Sequence, residues 1–251
     1  MNPLVYLYTE FLWRPLFNGL VFFYNVLPGP DLGAAIIALT VVIRLVLSPL
    51  LWKAQHAQRR MALLQPELKR IQDQHKGNRE AQGKAVMELY ASHKVNPLSG
   101  CVVLLIQLPI LIALFQVFRQ GFEVSALEYL YPFIQNPGAL NALSFGILDL
   151  SQGNIYLGVL AALTQYVQTK LAAPPALPAG GSSGGGDFAK ALQWQTTYFF
   201  PLLILFWSYT LPSALTLYWT TLNLFGIMQE IIVHKIHDRH GDNKRGSQDN
   251  V

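Results

Sequence analysis

The stretch at residues 33–55, GAAIIALTVVIRLVLSPLLWKAQ, decides what kind of molecule this is. From Gly33 to Trp52 it is apolar except for Thr40, Arg44 and Ser48, and about 20 residues of helix cross the roughly 30 Å of a bilayer's hydrocarbon. Three further apolar regions follow, at 98–118, 155–171 and 194–233. The last is too long for one crossing and is broken by Pro212, so it reads as two helices with a tight turn between them. The expected architecture is therefore an all-α integral membrane protein with five transmembrane helices, at 33–52, 98–118, 155–171, 194–211 and 213–233. Composition agrees. Apolar residues make up 52% of the 251 and charged residues 13%, about half of what a soluble surface needs. That excludes a soluble enzyme, a disordered chain, collagen and a coiled coil. The single Cys101 rules out an intramolecular disulfide.

The basic residues set the orientation. Nine lie at 53–94: Lys53, Arg59, Arg60, Lys69, Arg70, Lys76, Arg79, Lys84 and Lys94. Lys170 and Lys190 flank another loop on the same side, and Lys235, Arg239, Lys244 and Arg245 follow the last span. The opposite side has only Arg14 and Arg119. The bias places residues 53–95 and the C-terminus in the cytoplasm and the N-terminus outside. Residues 53–95 read as a helical hairpin, with Met61, Leu64, Leu68 and Ile71 at helical spacing on one arm and Val86, Leu89 and Tyr90 on the other. Gly77-Asn78 supplies the turn, and Pro66 starts or kinks the first arm. Residues 172–190 contain PPALPAGGSSGGG, a flexible cytoplasmic loop by composition, and 236–251 form a cytoplasmic tail. Residues 121–152 are an outside loop, with Tyr129, Tyr131 and Phe133 expected at the interface.

Residues 1–32 hold Glu10, Arg14, Pro15 and Asn18 within an otherwise apolar stretch, the pattern of an amphipathic helix lying in the outer interface. A spanning segment is one alternative. A cleaved secretory signal is another, although no basic n-region or small-x-small cleavage site stands out.

Arg44 asks for an explanation. It lies about 12 Å along the axis from Trp52, farther than its side chain comfortably snorkels, and an unpaired arginine at mid-span costs about 2.5–3.5 kcal/mol on insertion scales. The only acid in a predicted span is Glu230, near the cytoplasmic end of the last helix. The spans instead offer neutral polar groups, among them Thr40, Gln107, Gln165, Gln168, Thr169, Ser208, Thr216, Thr220, Thr221 and Asn223. Such a set points to a water-filled, positively charged cavity that favours acidic or polar cargo. The bland alternative is an arginine that bonds backbone carbonyls at a helix break and only fixes packing. Catalytic motifs are missing: there is no HExxH, no GxSxG and no phosphate-cradling glycine loop before a helix. The GGGD at 184–187 sits in the linker without a second aspartate in any span. His56, His75 and His93 lack metal-ligand spacing, and His234, His237 and His240 offer at most a weak metal site. The hairpin's bases read as a solvated positive face, an anionic-lipid contact or an RNA contact.

Four stretches together resemble the YidC/Oxa1/Alb3 family of membrane-protein insertases: 33–55, with arginine at mid-span and a proline five residues on; LLQPELKRIQ at 63–72; NPLSGCVVLLIQLPILIALFQVF at 96–118; and PSALTLYWTTLNLFGIMQE at 212–230. LDLS at 148–151 resembles the family's outside-loop motif. The order matches over nearly all of 33–235. The resemblance implies a five-helix core, 33–235, around a hydrophilic groove open to cytoplasm and lipid and closed to the outside. It implies no enzyme activity, no nucleotide, no metal and no cofactor. By position Arg44 is the groove arginine, Thr40 lies one turn away on the same face, and Gln107 and the pair Tyr218-Trp219 match groove positions. With Gln165, Thr220 and Asn223 from the polar inventory, these are the candidate substrate-groove residues. The implied partners are nascent membrane proteins and the lipid bilayer, with the ribosome and the Sec translocon as candidate further partners and no DNA. The expected location is a bacterial plasma membrane. Against the family pattern, no large outside domain and no lipid-attachment cysteine motif is seen, and the mixed-charge tail speaks against strong ribosome tethering. A transporter or anion channel using Arg44, and a scaffold that merely holds partner helices, are the rival readings; no inverted repeat supports the first.

Overall fold

The computed structural model describes residues 2–96, 99–120, 123–172 and 194–248. Its axis is α3 (Leu32–Leu63). Asp31 caps the start, its Oδ1 accepting the Ala34 N–H at 2.9 Å. Pro49 lies within the helix and removes one donor without ending it. The helix also runs well beyond Trp52, the expected end of the span, because neither glycine nor proline interrupts 50–65. It yields at Leu64, where the ring of Pro66 denies the ladder its next donor and crowds the preceding turn. The hairpin's first arm is thus the continuation of α3, followed by α4 (Gln65–Gln74), with α5 (Arg79–Ser92) returning. Gly77 takes a φ of +90° in the turn, and Asn78 caps α5 by accepting the Ala81 N–H at 3.0 Å. A small core of Leu64, Leu89 and Val95, with Met61, Leu68, Ile71 and Tyr90 packed on it, joins the arms.

Before α3, helix α1 (Pro3–Tyr8), a π-turn (Thr9–Trp13) and α2 (Arg14–Val26) follow one another without an intervening loop. Trp13, Phe17, Leu20, Val21 and Tyr24 recur every three or four residues and are buried against α3 and α6 (Ser99–Gln120). Leu4, Val5, Phe11, Phe22 and Val26 face outward. One face of residues 13–24 is therefore part of the bundle's core. Buried Asn18 pins the segment after α6 to it: Nδ2 donates to the carbonyls of Arg14 (2.8 Å) and Tyr129 (3.1 Å), and Oδ1 accepts the Tyr131 N–H (2.6 Å).

The connection from α6 to the next α-helix holds a 3-10 turn (Val124–Tyr129) and a hairpin of β1 (Leu143–Ser144) and β2 (Leu148–Asp149), antiparallel with Leu143 opposite Asp149. The connection between the strands is the three residues 145–147, in which Phe145 and Gly146 both have positive φ (53° and 72°) and the Ile147 N–H closes the turn on the Ser144 carbonyl at 3.1 Å. The turn docks on the start of α3. Asp31 accepts from Ser144 Oγ and from the Phe145 N–H (2.6 Å), and Ser144 Oγ accepts the Gly33 N–H (2.9 Å). Partial burial raises the Asp31 pKa, but the hydrogen bonds from Ser144 and from the N–H groups of Phe145, Ala34 and Gly33 prevail and hold it below the usual carboxylate value. A lowered folded-state pKa stabilises above the unfolded value and is lost as pH falls through the folded one. Asp31→Asn is therefore expected to be less stable than the wild type at neutral pH by about 1 kcal/mol, because the amide keeps the capping Oδ1 but replaces the Oδ2 acceptor of the Phe145 N–H with a donor. Thermal midpoints in detergent should converge as acid titrates the wild-type carboxylate. A gap that stays constant into acid would show that Asp31 acts without its charge.

Helices α7 (Ile155–Ala172), α8 (Phe200–Thr210, after a π-turn at Gln195–Phe199) and α9 (Ser213–Gln248) complete the bundle. α9 packs on α7 and α3, and α7 packs on α8. The chain turns at Leu211-Pro212, where the proline placed the break. The loop expected at 172–190 lies, from residue 173 on, outside the described residues. Among the described residues, 32–61 is the one helical stretch long and apolar enough to cross a membrane by itself, and Leu105–Gln120 is a shorter apolar helix. Leu105, Leu163, Leu202, Phe206 and Leu224, on α6, α7, α8 and α9, expose large apolar side chains, more than a surface facing water ordinarily carries.

Candidate functional site

Arg44 sits at the middle of the apolar part of α3 and is 8% exposed. No ion pair involves it among the described residues, and its Nε is buried without a hydrogen-bond partner. Tyr218 of α9, 1% exposed, interacts with it electrostatically. Gln107 of α6 donates through Nε2 to Tyr218 Oη at 2.5 Å. Three helices distant in sequence thus bring together Arg44, Gln107 and Tyr218. Thr40, one turn before Arg44, is buried and gives its hydroxyl to the Ile36 carbonyl of its own helix (2.6 Å).

The other candidates sit around the neighbouring seams of α9. Asn223, fully buried, donates to the Ala161 carbonyl and to Thr164 Oγ1 of α7, both at 3.3 Å, while its Oδ1 is buried without a partner. Trp219 stacks on Trp207 (centroids 5.9 Å apart) and meets Phe200 edge-on, both from α8. Tyr218 and Trp219 are adjacent in sequence and so point about 100° apart on the helix, one toward Gln107 and the other toward α8. Thr220 donates to the Thr216 carbonyl, and Gln165 donates to Thr169 Oγ1 within α7. Among the described residues, none of these four hydrogen-bonds to Arg44.

The sequence reading passed over a second polar cluster. Glu230 is 5% exposed and accepts from Gln55 Nε2 and from Arg59 Nη2, both at 2.8 Å; Gln229 Nε2 donates to Gln55 Oε1 at 3.0 Å. This clasp ties α9 to the part of α3 just beyond Trp52. Its signal was Glu230 itself, an acid in a span that lies level with a base once α3 continues as helix. At the other end of α9, Ser213 donates from its N–H (2.8 Å) and its Oγ (2.5 Å) to the Gln152 carbonyl, and the Ala214 N–H donates to the Leu150 carbonyl (3.1 Å). Leu150 of the LDLS stretch and Gln152 just after it therefore hold the α8–α9 turn.

Chemically, Arg44 leaves a buried donor unanswered at the centre, and Asn223 leaves a buried acceptor unanswered at the seam of α9 with α7. A buried polar atom without a partner costs about 1–3 kcal/mol, and such atoms are normally met by water or a ligand. No group of three or more His, Cys, Asp or Glu able to hold a metal occurs among the described residues.

A protein-family profile described as "60Kd inner membrane protein" matches residues 22–240. Curated relatives include the membrane protein insertase YidC of Francisella tularensis subsp. novicida (strain U112), 38% identical over 203 residues, 80% of this chain and 32% of the relative. Those of subsp. holarctica (strain LVS) and subsp. tularensis (strain SCHU S4 / Schu 4) have the same identity and coverage. The chain spans about a third of the length of these relatives.

Proposed function

The chain belongs to the 60Kd inner membrane protein family, the YidC/Oxa1 group, and on that premise we propose that it is a membrane-protein insertase of a bacterial plasma membrane. The observation that carries the reading is Arg44: buried at mid-helix, unpaired among the described residues, and beside Tyr218. In this reading α3, α6, α7, α9 and the segment of α8 with its preceding π-turn are the five spans, with the N-terminus outside and the C-terminus in the cytoplasm. Arg44, Gln107 and Tyr218 form the centre of a polar groove, with Thr40, Gln165, Trp219, Thr220 and Asn223 lining it or bracing its walls.

A hydrophilic tail of a nascent membrane protein enters from the cytoplasm. Arg44 attracts its acidic groups, and groove water shortens the apolar distance still to be crossed. The following hydrophobic segment partitions into lipid, each Leu, Ile, Phe or Val contributing about −0.3 to −0.6 kcal/mol at mid-membrane. No covalent step occurs, so no nucleophile or cofactor is called for. The outer clamp at Ser213 and the docked β1–β2 hairpin support closure on the far side. The ribosome and the Sec translocon remain proposed partners.

The test is insertion of an in vitro translated single-span protein with a short acidic N-terminal tail into liposomes containing only this protein, read as protease protection of the tail. Protection above that of empty liposomes is expected. Protection equal to theirs, together with solute flux through the same vesicles, would replace the insertase by a transporter.

A further inference from the structure

Just beyond the expected span, α3 and the chain leaving α5 enclose a cavity of about 490 Å³ that insertion through the groove does not use. Trp52, Lys53, His56 and Arg60 line it from α3, and Lys94 and Val95 from the other side. Lys53, His56 and Arg60 are three and four residues apart and so share one stripe of the helix. Lys94 has a φ of +53°, a backbone state uncommon for a residue with a Cβ. No acidic side chain is among the lining residues. Trp52 and buried Val95 make part of the wall apolar, and the Trp52 and His56 rings lie 5.4 Å apart.

Depth gives the cavity its meaning. Trp52 closes the apolar stretch, where tryptophans sit at headgroup level, and basic pockets at that level on the cytoplasmic side suit anionic lipid headgroups. We propose that this cavity binds the phosphate of an anionic phospholipid of the cytoplasmic leaflet, with Lys53, Arg60 and Lys94 as the cations that hold it and Trp52 and Val95 against the glycerol end of the acyl chains. An RNA backbone is the poorer fit: it needs bases spaced along a solvated track, whereas this site is one concavity with apolar walls at the hydrocarbon boundary. A lipid held there joins α3 to the base of the hairpin, so the seating of the hairpin depends on anionic lipid. The assignment rests on the reading that α3 crosses the bilayer.

Full-length protein in detergent is titrated with phosphatidylglycerol or phosphatidylcholine, and retained lipid is counted by native mass spectrometry. One tightly held phosphatidylglycerol per chain is expected, with phosphatidylcholine retained far less. The triple variant Lys53→Gln/Arg60→Gln/Lys94→Gln should bind it roughly a hundred-fold more weakly, as removal of three cations from an anionic headgroup implies. The triple variant Lys69→Gln/Arg70→Gln/Lys84→Gln, which removes equal charge elsewhere on the hairpin, should retain it. Equal loss in both variants, or equal retention of the two lipids, overturns the site. Displacement of the lipid by inorganic phosphate at equal concentration assigns the cavity to a soluble phosphate instead, and displacement by a short single-stranded RNA assigns it to nucleic acid; either refutes the lipid. Circular dichroism checks that both variants fold, and Lys53→Gln/Lys94→Gln, with an intermediate loss expected, decides if the first does not. Insertion is measured separately: its failure with lipid binding intact would count against the insertase and leave this site standing.

Discussion

Replacing Arg44 by alanine is expected to cut insertion of an acidic-tailed, single-span substrate about tenfold, while Arg44→Lys keeps most of the activity. Two unit charges close together interact by about 1 kcal/mol in water and about 4 kcal/mol near a protein surface. A wet groove lies between these limits, and about 1.4 kcal/mol is a factor of ten. A substrate whose tail carries no acid should lose much less, because water in the groove serves it equally in both proteins. Stability separates this role from a packing role. Arg44 has no ion pair among the described residues and a buried Nε without a partner, so its removal relieves a cost and Arg44→Ala should melt no lower than the wild type. Undiminished insertion of every substrate by Arg44→Ala would take the charge out of the mechanism. A lower melting point with proportionate loss on all substrates would make Arg44 a packing residue.

The second large effect is structural. Gly153→Ala is expected to destabilise the protein by about 3 kcal/mol, the upper range for overpacking, and to lower the thermal midpoint in detergent by roughly 5–10 °C. A Cβ at Gly153 would lie 2.3 Å from the Tyr209 carbonyl oxygen, 2.7 Å from its carbon and 2.8 Å from the Ser208 oxygen. All three are backbone atoms, so no rotamer change relieves the clash. The same segment carries the Asn154 N–H to the Ser208 carbonyl (3.0 Å) and the bonds from Ser213 and Ala214. Displacing it therefore loosens α7, α8 and α9 together at the end where α8 turns into α9. Gly83→Ala is the control: it lies inside α5 with nothing within 4 Å of its Cβ, and alanine there should stabilise by roughly 0.5–1 kcal/mol. Equal midpoints for Gly153→Ala and the wild type would show that the clamp yields.

Much of this was legible in the residues because its causes are local. An apolar run with one arginine reads as a helix, a proline at 212 as a break, and a spaced set of Met, Leu and Ile as a hairpin face. The Arg44 reading rested on a charge and its place in an apolar run, both of which are local to the sequence. Other features were hidden because they join residues far apart in sequence. Gln107 meets Tyr218, and Gln55 and Arg59 meet Glu230, through the packing of α6 and α3 on α9. The continuation of α3 past Trp52 was missed for a different reason. The charged residues that end an apolar run do not end a helix, and only Pro66 does.

The sequence by itself determined the class of the molecule, the break between the last two helices and the family. These depend on composition, period and order. Only the tertiary structure decided which polar groups meet. It set Tyr218 toward Gln107 and Trp219 toward Trp207, closed Glu230 onto Arg59, and held the α8–α9 turn with the carbonyls of Leu150 and Gln152. The physical reason is that an apolar surface can be covered by any apolar neighbour, whereas a buried hydrogen bond or ion pair is satisfied only by a particular partner at a particular distance.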